Sequence, residues 1–395
     1  MKNTGLGWRL RATAMAVALL TALPALAQFT PVETEVCPAS ARVYDPEFNT
    51  DTQLMAYYDG RGGLRVASVL ADGSIDSAQC AGTLLARNVT ISIPDLPFRA
   101  GPEWAFSARG LELYYTKIDS ENRVSMARAR RMDDGRWRLS DLPDSTDRGL
   151  ALTSADATDA EPRLIYALTT APGAYALAWR EASRPETETV VPGAVDPSVG
   201  GAPRWVPGRR ALTLALPDAS GVRQAVLYDV DGSNTRHLTR DSGNKDEVWL
   251  WAAPEFGGAL GLMTVADGCC LRFYREDAAG QWQLYREIRT ADFSRRSDNI
   301  YSPEILVLGG RSYVAMQVST QRVAASDIWI AEVGLGGLAP LQISDASRRG
   351  VARSEPEWMV TPGGVFVYVT ATEATNRFAL NRLATPLQLG VGAAR

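Results

Sequence analysis

The chain has 395 residues, a formal net charge of −4, 22% charged residues and a single histidine, His237. That mild acidity, with no basic run, excludes nucleic acid as the expected partner. One histidine leaves little for a Ser-His-Asp triad or a His-rich metal site.

The first 27 residues read as a secretory leader rather than as part of a fold. Lys2, Arg9 and Arg11 form a basic n-region, residues 12–23 are an apolar core too short to span a bilayer, and Ala25-Leu26-Ala27 is a small-x-small cleavage site. The mature chain is expected to begin at Gln28, without a lipid anchor because no Cys follows the cut. Removing the three leader cations takes the formal charge from −4 to −7. No later stretch reaches the roughly 18 unbroken apolar residues of a membrane span.

From residue 46 onward one short pattern recurs: Pro, a charged residue, then an apolar one. It occurs at Pro46, Pro102, Pro162, Pro203, Pro254, Pro303 and Pro356. The charged residue is Glu47, Glu103, Arg163, Arg204, Glu255, Glu304 or Glu357, and the apolar one is Phe48, Trp104, Leu164, Trp205, Phe256, Ile305 or Trp358. A period of roughly 50 residues signals a solenoid, a propeller or an array. Pro is excluded from the middle of a central strand, so each copy should mark a strand start. The aromatic two places on is expected to pack between neighbouring units.

Between copies the chain reads as short antiparallel strands. The spacing predicts strands over 53–58 and 64–70 around the Gly60–Gly63 turn. After the second copy Leu111, Leu113 and Tyr115 alternate with Glu112, Tyr114 and Thr116, and Val124 and Met126 start a return strand. Strands follow over 211–216 and 222–230, and over 312–318 and 327–333, with a Gly-rich turn at 334–337. Residues 120–131 come nearest to a helix, but their hydrophobes alternate better than they wind. The expectation is therefore all-β: a single β-propeller over residues 28–395 with three- to four-stranded blades, seven rather than six. The third copy is degenerate, which keeps six open. The last copy has only three strands, so residues 30–36 are expected to supply its outer strand and close the ring.

Four cysteines in an exported chain make disulfides plausible. A Cys37–Cys80 bridge would tie the N-terminal arm to the first repeat. Cys269 and Cys270 are adjacent and could form a vicinal disulfide, pair elsewhere, or stay reduced; four cysteines allow three connectivities.

Arg236-His237-Leu238-Thr239-Arg240-Asp241, followed after a polar loop by Pro254-Glu255-Phe256, resembles the repeat of TolB-type (WD40-like, PD40) periplasmic propellers. Leu341-Gln342-Ile343-Ser344-Asp345 before Pro356-Glu357-Trp358 repeats the pattern, and Trp137-Arg138-Leu139-Ser140-Asp141 gives it more loosely. The resemblance implies a propeller and a periplasmic binding role. The α/β domain that precedes the propeller in TolB itself has no counterpart between the cleavage site and Pro46.

A second resemblance is to five-bladed sugar-cleaving propellers, through Tyr44-Asp45-Pro46, Trp251-Ala252-Ala253-Pro254-Glu255 and Asp267-Gly268-Cys269-Cys270. It implies paired carboxylates across a glycosidic bond, with Asp45, Glu161, Glu255, Glu304 and Glu355 as candidates by position. Against it, carboxylates sit at nearly every copy and the copies exceed five. Gly-x-Ser-x-Gly is absent, Gly334–Gly337 is a turn rather than a phosphate loop, and no spaced Asp loop points to Ca²⁺. His237 reads as structural.

These observations favour a monomeric, non-enzymatic binding or scaffolding module for a protein or cell-envelope component, without cofactor or metal. A glycoside hydrolase-like propeller is the alternative. Glu47, Glu103, Arg163, Arg204, Glu255, Glu304 and Glu357 are the candidate charged channel mouth.

Overall fold

Seven antiparallel sheets follow one another along the chain in the computed structural model. It describes residues 29–76, 80–92, 100–108, 110–154, 161–193, 202–293, 299–320, 323–348, 350–373 and 378–389. The predicted leader and its cleavage site lie outside these residues. The sheets are the blades of a seven-bladed propeller, and no α-helix occurs among the described residues. The innermost strands are Tyr44–Asn49, Glu103–Ser107, Arg148–Thr153, Arg204–Trp205, Lys245–Ala252, Asn299–Leu308 and Ala352–Thr361. Predicted strands reappear within a few residues of their expected bounds, as Leu54–Tyr58, Gly63–Val69, Ala211–Pro217 and Arg223–Asp229. Residues 124–131 are a strand, as their alternation required. Blade 1 gains a further strand, Thr83–Arg87, on Gly63–Val69.

The core lies between blades. Phe48 stacks on Tyr368 at 4.3 Å across blades 1 and 7, Trp179 meets Trp205 edge-on at 6.1 Å across blades 3 and 4, and Phe293 meets Trp329 at 4.9 Å across blades 5 and 6. Trp104 and Trp358 also reach back across an inter-blade seam, donating their indole N–H to the backbone oxygens of Glu47 and Glu304 at 3.0 and 2.9 Å. In these two copies the tryptophan after the charged residue thus fixes the backbone of the preceding blade's own charged residue.

The linker motif has a local cause. Leu238 and Ile343 are buried, and the hydroxyls after them substitute for the ladder: Thr239 Oγ1 accepts from Ala225 N and Ser344 Oγ from Ile328 N, both at 3.0 Å. In blade 2 the equivalent residues are Leu142 and Ser145, whose hydroxyl accepts from Met126 N; Leu139, singled out in the sequence, is exposed. His237 ends the exposed outer strand Asn234–His237 of blade 4.

The ring closes as expected, with Glu33–Cys37 pairing antiparallel on Phe378–Ala384. The Glu33 side chain is buried in the seam. It accepts from Arg353 Nη2 at 2.8 Å, Arg348 Nη1 at 3.1 Å, Asn381 Nδ2 at 2.6 Å and Asp345 N at 3.1 Å. Burial pushes the Glu33 carboxyl up, but the Arg353 hydrogen bonds and charge outweigh it and hold the pKa below the usual value.

Cys37 and Cys80 are bridged across a separation of 43 residues, clamping the closing strand to blade 1. Cys269 and Cys270 pair with each other in the hairpin between the second and third strands of blade 5. A Cys37→Ser/Cys80→Ser variant is expected to lose about 3 kcal/mol, read as a lower urea midpoint with a steeper slope because the unfolded chain loses its cross-link. An unchanged midpoint would show that this bridge adds nothing to ring closure.

Candidate binding channel

Four innermost strands carry the same defect near their start. The register slips between Tyr44 and Glu47, Asp246 and Trp249, Tyr301 and Glu304, and Ser354 and Glu357. Within each slip one non-glycine residue has a left-handed backbone: Asp45 (φ 47°), Glu247 (φ 53°), Ser302 (φ 43°) and Glu355 (φ 54°). The next residue is Pro46, Val248, Pro303 or Pro356. A bulge leaves a backbone group without a ladder partner, and proline has no N–H to orphan there. Each left-handed non-glycine residue costs on the order of 1–3 kcal/mol, and such strain concentrates where a side chain must be re-aimed.

The bulges and the other blade starts line one cavity of about 560 Å³ at the end of the channel where the innermost strands begin. Blade 1 contributes Asp45 and Glu47, blade 2 Glu103, blade 4 Arg204, blade 5 Glu247 and Trp249, blade 6 Glu304, and blade 7 Glu355 and Glu357. Blade 3 supplies only Ala151 and Leu152. Gly101 precedes Pro102 because a Cβ there would come within 2.9 Å of the Asp45 side chain.

Of the seven candidate residues, five meet at this cavity: Glu47, Glu103, Arg204, Glu304 and Glu357. Arg163 does not. It begins the second strand of blade 3, is buried, and lies over the Trp205 ring at 4.8 Å. Glu255 does not either. Pro254–Phe256 is a 3-10 turn after the innermost strand of blade 5, and the Glu255 carboxylate accepts from Ser312 Oγ at 2.8 Å. The third and fifth copies are therefore corrected: the innermost strand of blade 3 is Arg148–Thr153, and that of blade 5 carries its bulge at Glu247-Val248. Sequence reasoning missed Glu247 because Val248 stands where the motif has proline; the Glu-x-aromatic spacing of Glu247 and Trp249 was the available signal. Of the glycosidase candidates, Asp45, Glu304 and Glu355 line the cavity, whereas Glu161 accepts from Ser183 N and Glu255 lies in its turn.

One cation sits among these acids. Arg204 Nη2 is 3.1 Å from Glu304 Oε1, and its guanidinium lies over the Trp249 ring at 4.3 Å. Burial lowers the Arg204 pKa, but Glu304, Glu247, Glu103 and Glu357 outweigh it and raise the net value. Glu47, Glu103 and Glu357 have no salt bridge or hydrogen bond to their carboxylates among the described residues, and Arg204 acts on Glu103 and Glu357 only at longer range. Burial first, then Glu357, Glu103, Asp45 and Glu304, push the Glu47 pKa well above the usual value. Glu357 is pushed up likewise, by burial and then by Glu304. Burial raises Glu103 to about 8 and Glu304 to about 7, although Arg204 opposes both. Burial also raises Glu247 against the pull of Arg204. Near neutral pH the wall therefore stores protons that an incoming cation can displace. No set of three acidic, histidine or cysteine side chains among the described residues converges on a metal position.

No family model matches this sequence, and no curated protein matches it. By structure, the chain is similar to the β-propeller domain of Myceliophteria thermophila Cps50 (Swd1), at TM-score 0.54 and 12% identity over 90% of this chain and 100% of that one. It is similar to an oligogalacturonate lyase in complex with manganese, at TM-score 0.55 and 13% identity over 91% of this chain and 94% of that one. An ancestral GH74 enzyme gives TM-score 0.55 and 12% identity over 89% of this chain and 49% of that enzyme. At such identities the likeness is one of fold. Enzymes stand beside a protein described only as a propeller domain, so function must be argued from the channel.

Proposed function

We propose that the protein is an exported, non-enzymatic binding propeller that receives a protein or cell-envelope component at its acidic channel mouth. The carrying observation is the gathering of carboxylates from five blades around one cavity with a single arginine among the described lining residues. An arrangement in which Glu47, Glu103 and Glu357 face one another, offset only in part by Arg204, stores electrostatic energy that an incoming partner releases. The TolB-like reading of the linkers and the leader at residues 1–27 support the same role in the periplasm, where the Cys37–Cys80 bridge is stable. The strained bulges aim acids from blades 1, 5, 6 and 7 at the cavity.

One observation favours the glycosidase alternative: Asp45, Glu304 and Glu355 share the cavity, with Glu304 held near 7. The separating experiment incubates purified protein with arabinan, xylan and aryl glycosides, beside cross-linked capture from envelope extract. The expected result is a specific partner retained by the wild type, lost from Glu47→Gln/Glu357→Gln, and no sugar release. Sugar release abolished by Asp45→Ala would replace the binding role with the glycosidase one.

A further inference from the structure

We propose that Cys269–Cys270 is a redox-sensitive clasp: a dithiol reductant opens it in the folded protein, and opening frees the strand starts of blades 5 and 6 at the channel mouth. The proposal concerns the scaffold of the channel and holds whatever the channel binds.

Global stability does not account for this bridge. A disulfide stabilises mainly by removing freedom from the unfolded chain, and that gain grows with the loop it closes. Cys37–Cys80 spans a separation of 43 residues, whereas Cys269–Cys270 joins neighbours in sequence. What the second bridge fixes is local, a ring containing the peptide bond that the two cysteines share. That ring ends a tight turn in which Asp267 and Gly268 are both left-handed (φ 49° and 69°) and Cys269 N donates to Ala266 O at 3.1 Å.

The turn is where two blades meet. On the blade 5 side Asp267 N donates to Asn244 O at 2.9 Å, and Asp267 Oδ1 accepts from Asn244 N at 2.8 Å. On the blade 6 side Gly268 O accepts from Ile300 N at 2.7 Å. A Cβ on Gly268 would come within 2.8 Å of Asn299 Oδ1, so the turn lies tight against that strand. Cys269 O also accepts from Thr290 N at 3.0 Å. Asn244 and Ile300 each stand shortly before a register slip whose strand carries an acid to the cavity, Glu247 in blade 5 and Glu304 in blade 6. The bridge therefore holds the turn from which both strand starts hang.

Access separates the two disulfides. Cys37 and Cys80 are 0% and 1% exposed, whereas Cys269 and Cys270 are half-buried. Exchange requires a thiolate to reach a disulfide sulfur. One thiolate of the dithiol attacks a sulfur of the pair and forms a mixed disulfide, which the second thiolate then resolves. The reductant leaves as its own disulfide, two electrons pass to the pair, and both cysteines end as thiols carrying the reductant's protons. Opening the ring restores its torsional freedom, so the hydrogen bonds of Thr290 and Ile300 to the turn break more often.

The test titrates wild-type protein with dithiothreitol under native conditions, quenches with iodoacetamide and maps the thiols by peptide mass spectrometry, with hydrogen exchange recorded in parallel. Cys269–Cys270 is expected to be oxidised in the air-equilibrated protein and to open at a dithiol concentration about tenfold below that needed for Cys37–Cys80. Exchange at Thr290 and Ile300 should then rise about tenfold while Phe378–Ala384 stays unchanged. Cys269→Ser/Cys270→Ser should exchange fast at Thr290 and Ile300 without reductant and ignore its addition, whereas Cys37→Ser/Cys80→Ser should keep the response. Free thiols at Cys269 and Cys270 before any reductant, opening only together with Cys37–Cys80, or unchanged exchange at Thr290 and Ile300 once the pair is open overturns the proposal. The wild-type titration decides among these outcomes even if a variant fails to fold.

Discussion

Glu47→Gln/Glu103→Gln is expected to be more stable than the wild type at pH 9 by about 2 kcal/mol, and indistinguishable from it at pH 4. The sign follows from the direction of the shifts. Both carboxyls have folded pKa values raised above the unfolded ones, Glu103 to about 8, by burial and by the facing acids Asp45, Glu304 and Glu357, with Arg204 opposing at Glu103. Between the unfolded and folded pKa the native state binds more protons than the unfolded chain, so stability falls as pH rises through that window. A glutamine cannot ionise and escapes the penalty. One pKa unit corresponds to about 1.4 kcal/mol, and water in the channel screens part of it, so about 2 kcal/mol is what survives. Urea unfolding at pH 4, 7 and 9 checks this. A variant less stable than the wild type at pH 9 would mean that these acids are held by attractive partners.

The second large effect is of opposite sign. Glu33→Ala should cost about 3 kcal/mol at neutral pH, because it removes the nearer carboxylate partner of the buried Arg353 and leaves it Asp327 at 3.6 Å. The side chain holds the closing strand to three parts of blade 7 at once, through Arg348, Arg353 and Asn381. Its removal should open hydrogen exchange in Phe378–Ala384 before the other blades. Cys37–Cys80 keeps the strand tethered, so the loosening stays local. The Glu33 pKa is depressed, so its contribution is present above the unfolded value and is lost as pH falls through the folded one. The stability difference between the wild type and Glu33→Ala should therefore narrow as pH falls on the acid side. Uniform protection across Phe378–Ala384 in the variant would show that the ladder alone closes the ring.

Much of this architecture was legible from the chain because its causes are local. Alternation within 111–116 and 124–131 is a property of a few neighbouring residues, and so is the Pro that follows a bulge. Ring closure by the N-terminal arm could be inferred from a missing fourth strand. The Cys37–Cys80 pairing was the simplest use of two cysteines flanking one repeat. Even the blade number emerged, although two of the seven marks sit on the wrong element.

Those two marks show where local reading stops. Pro162-Arg163-Leu164 and Pro254-Glu255-Phe256 satisfy the pattern as well as Pro303-Glu304-Ile305 does, since proline, a charge and a hydrophobe suit a second strand or a hairpin turn equally well. Only ladder partners distinguish an innermost strand from its neighbour, and those are tertiary. Glu247 stayed hidden because Val248 tolerates the bulge without announcing it. Glu33 and Arg353 lie far apart in sequence, and nothing near either residue signals a buried pair. The gathering of Glu47, Glu103, Glu304 and Glu357 around Arg204 arises only on closure, because radial packing of seven sheets brings the strand starts to a common axis.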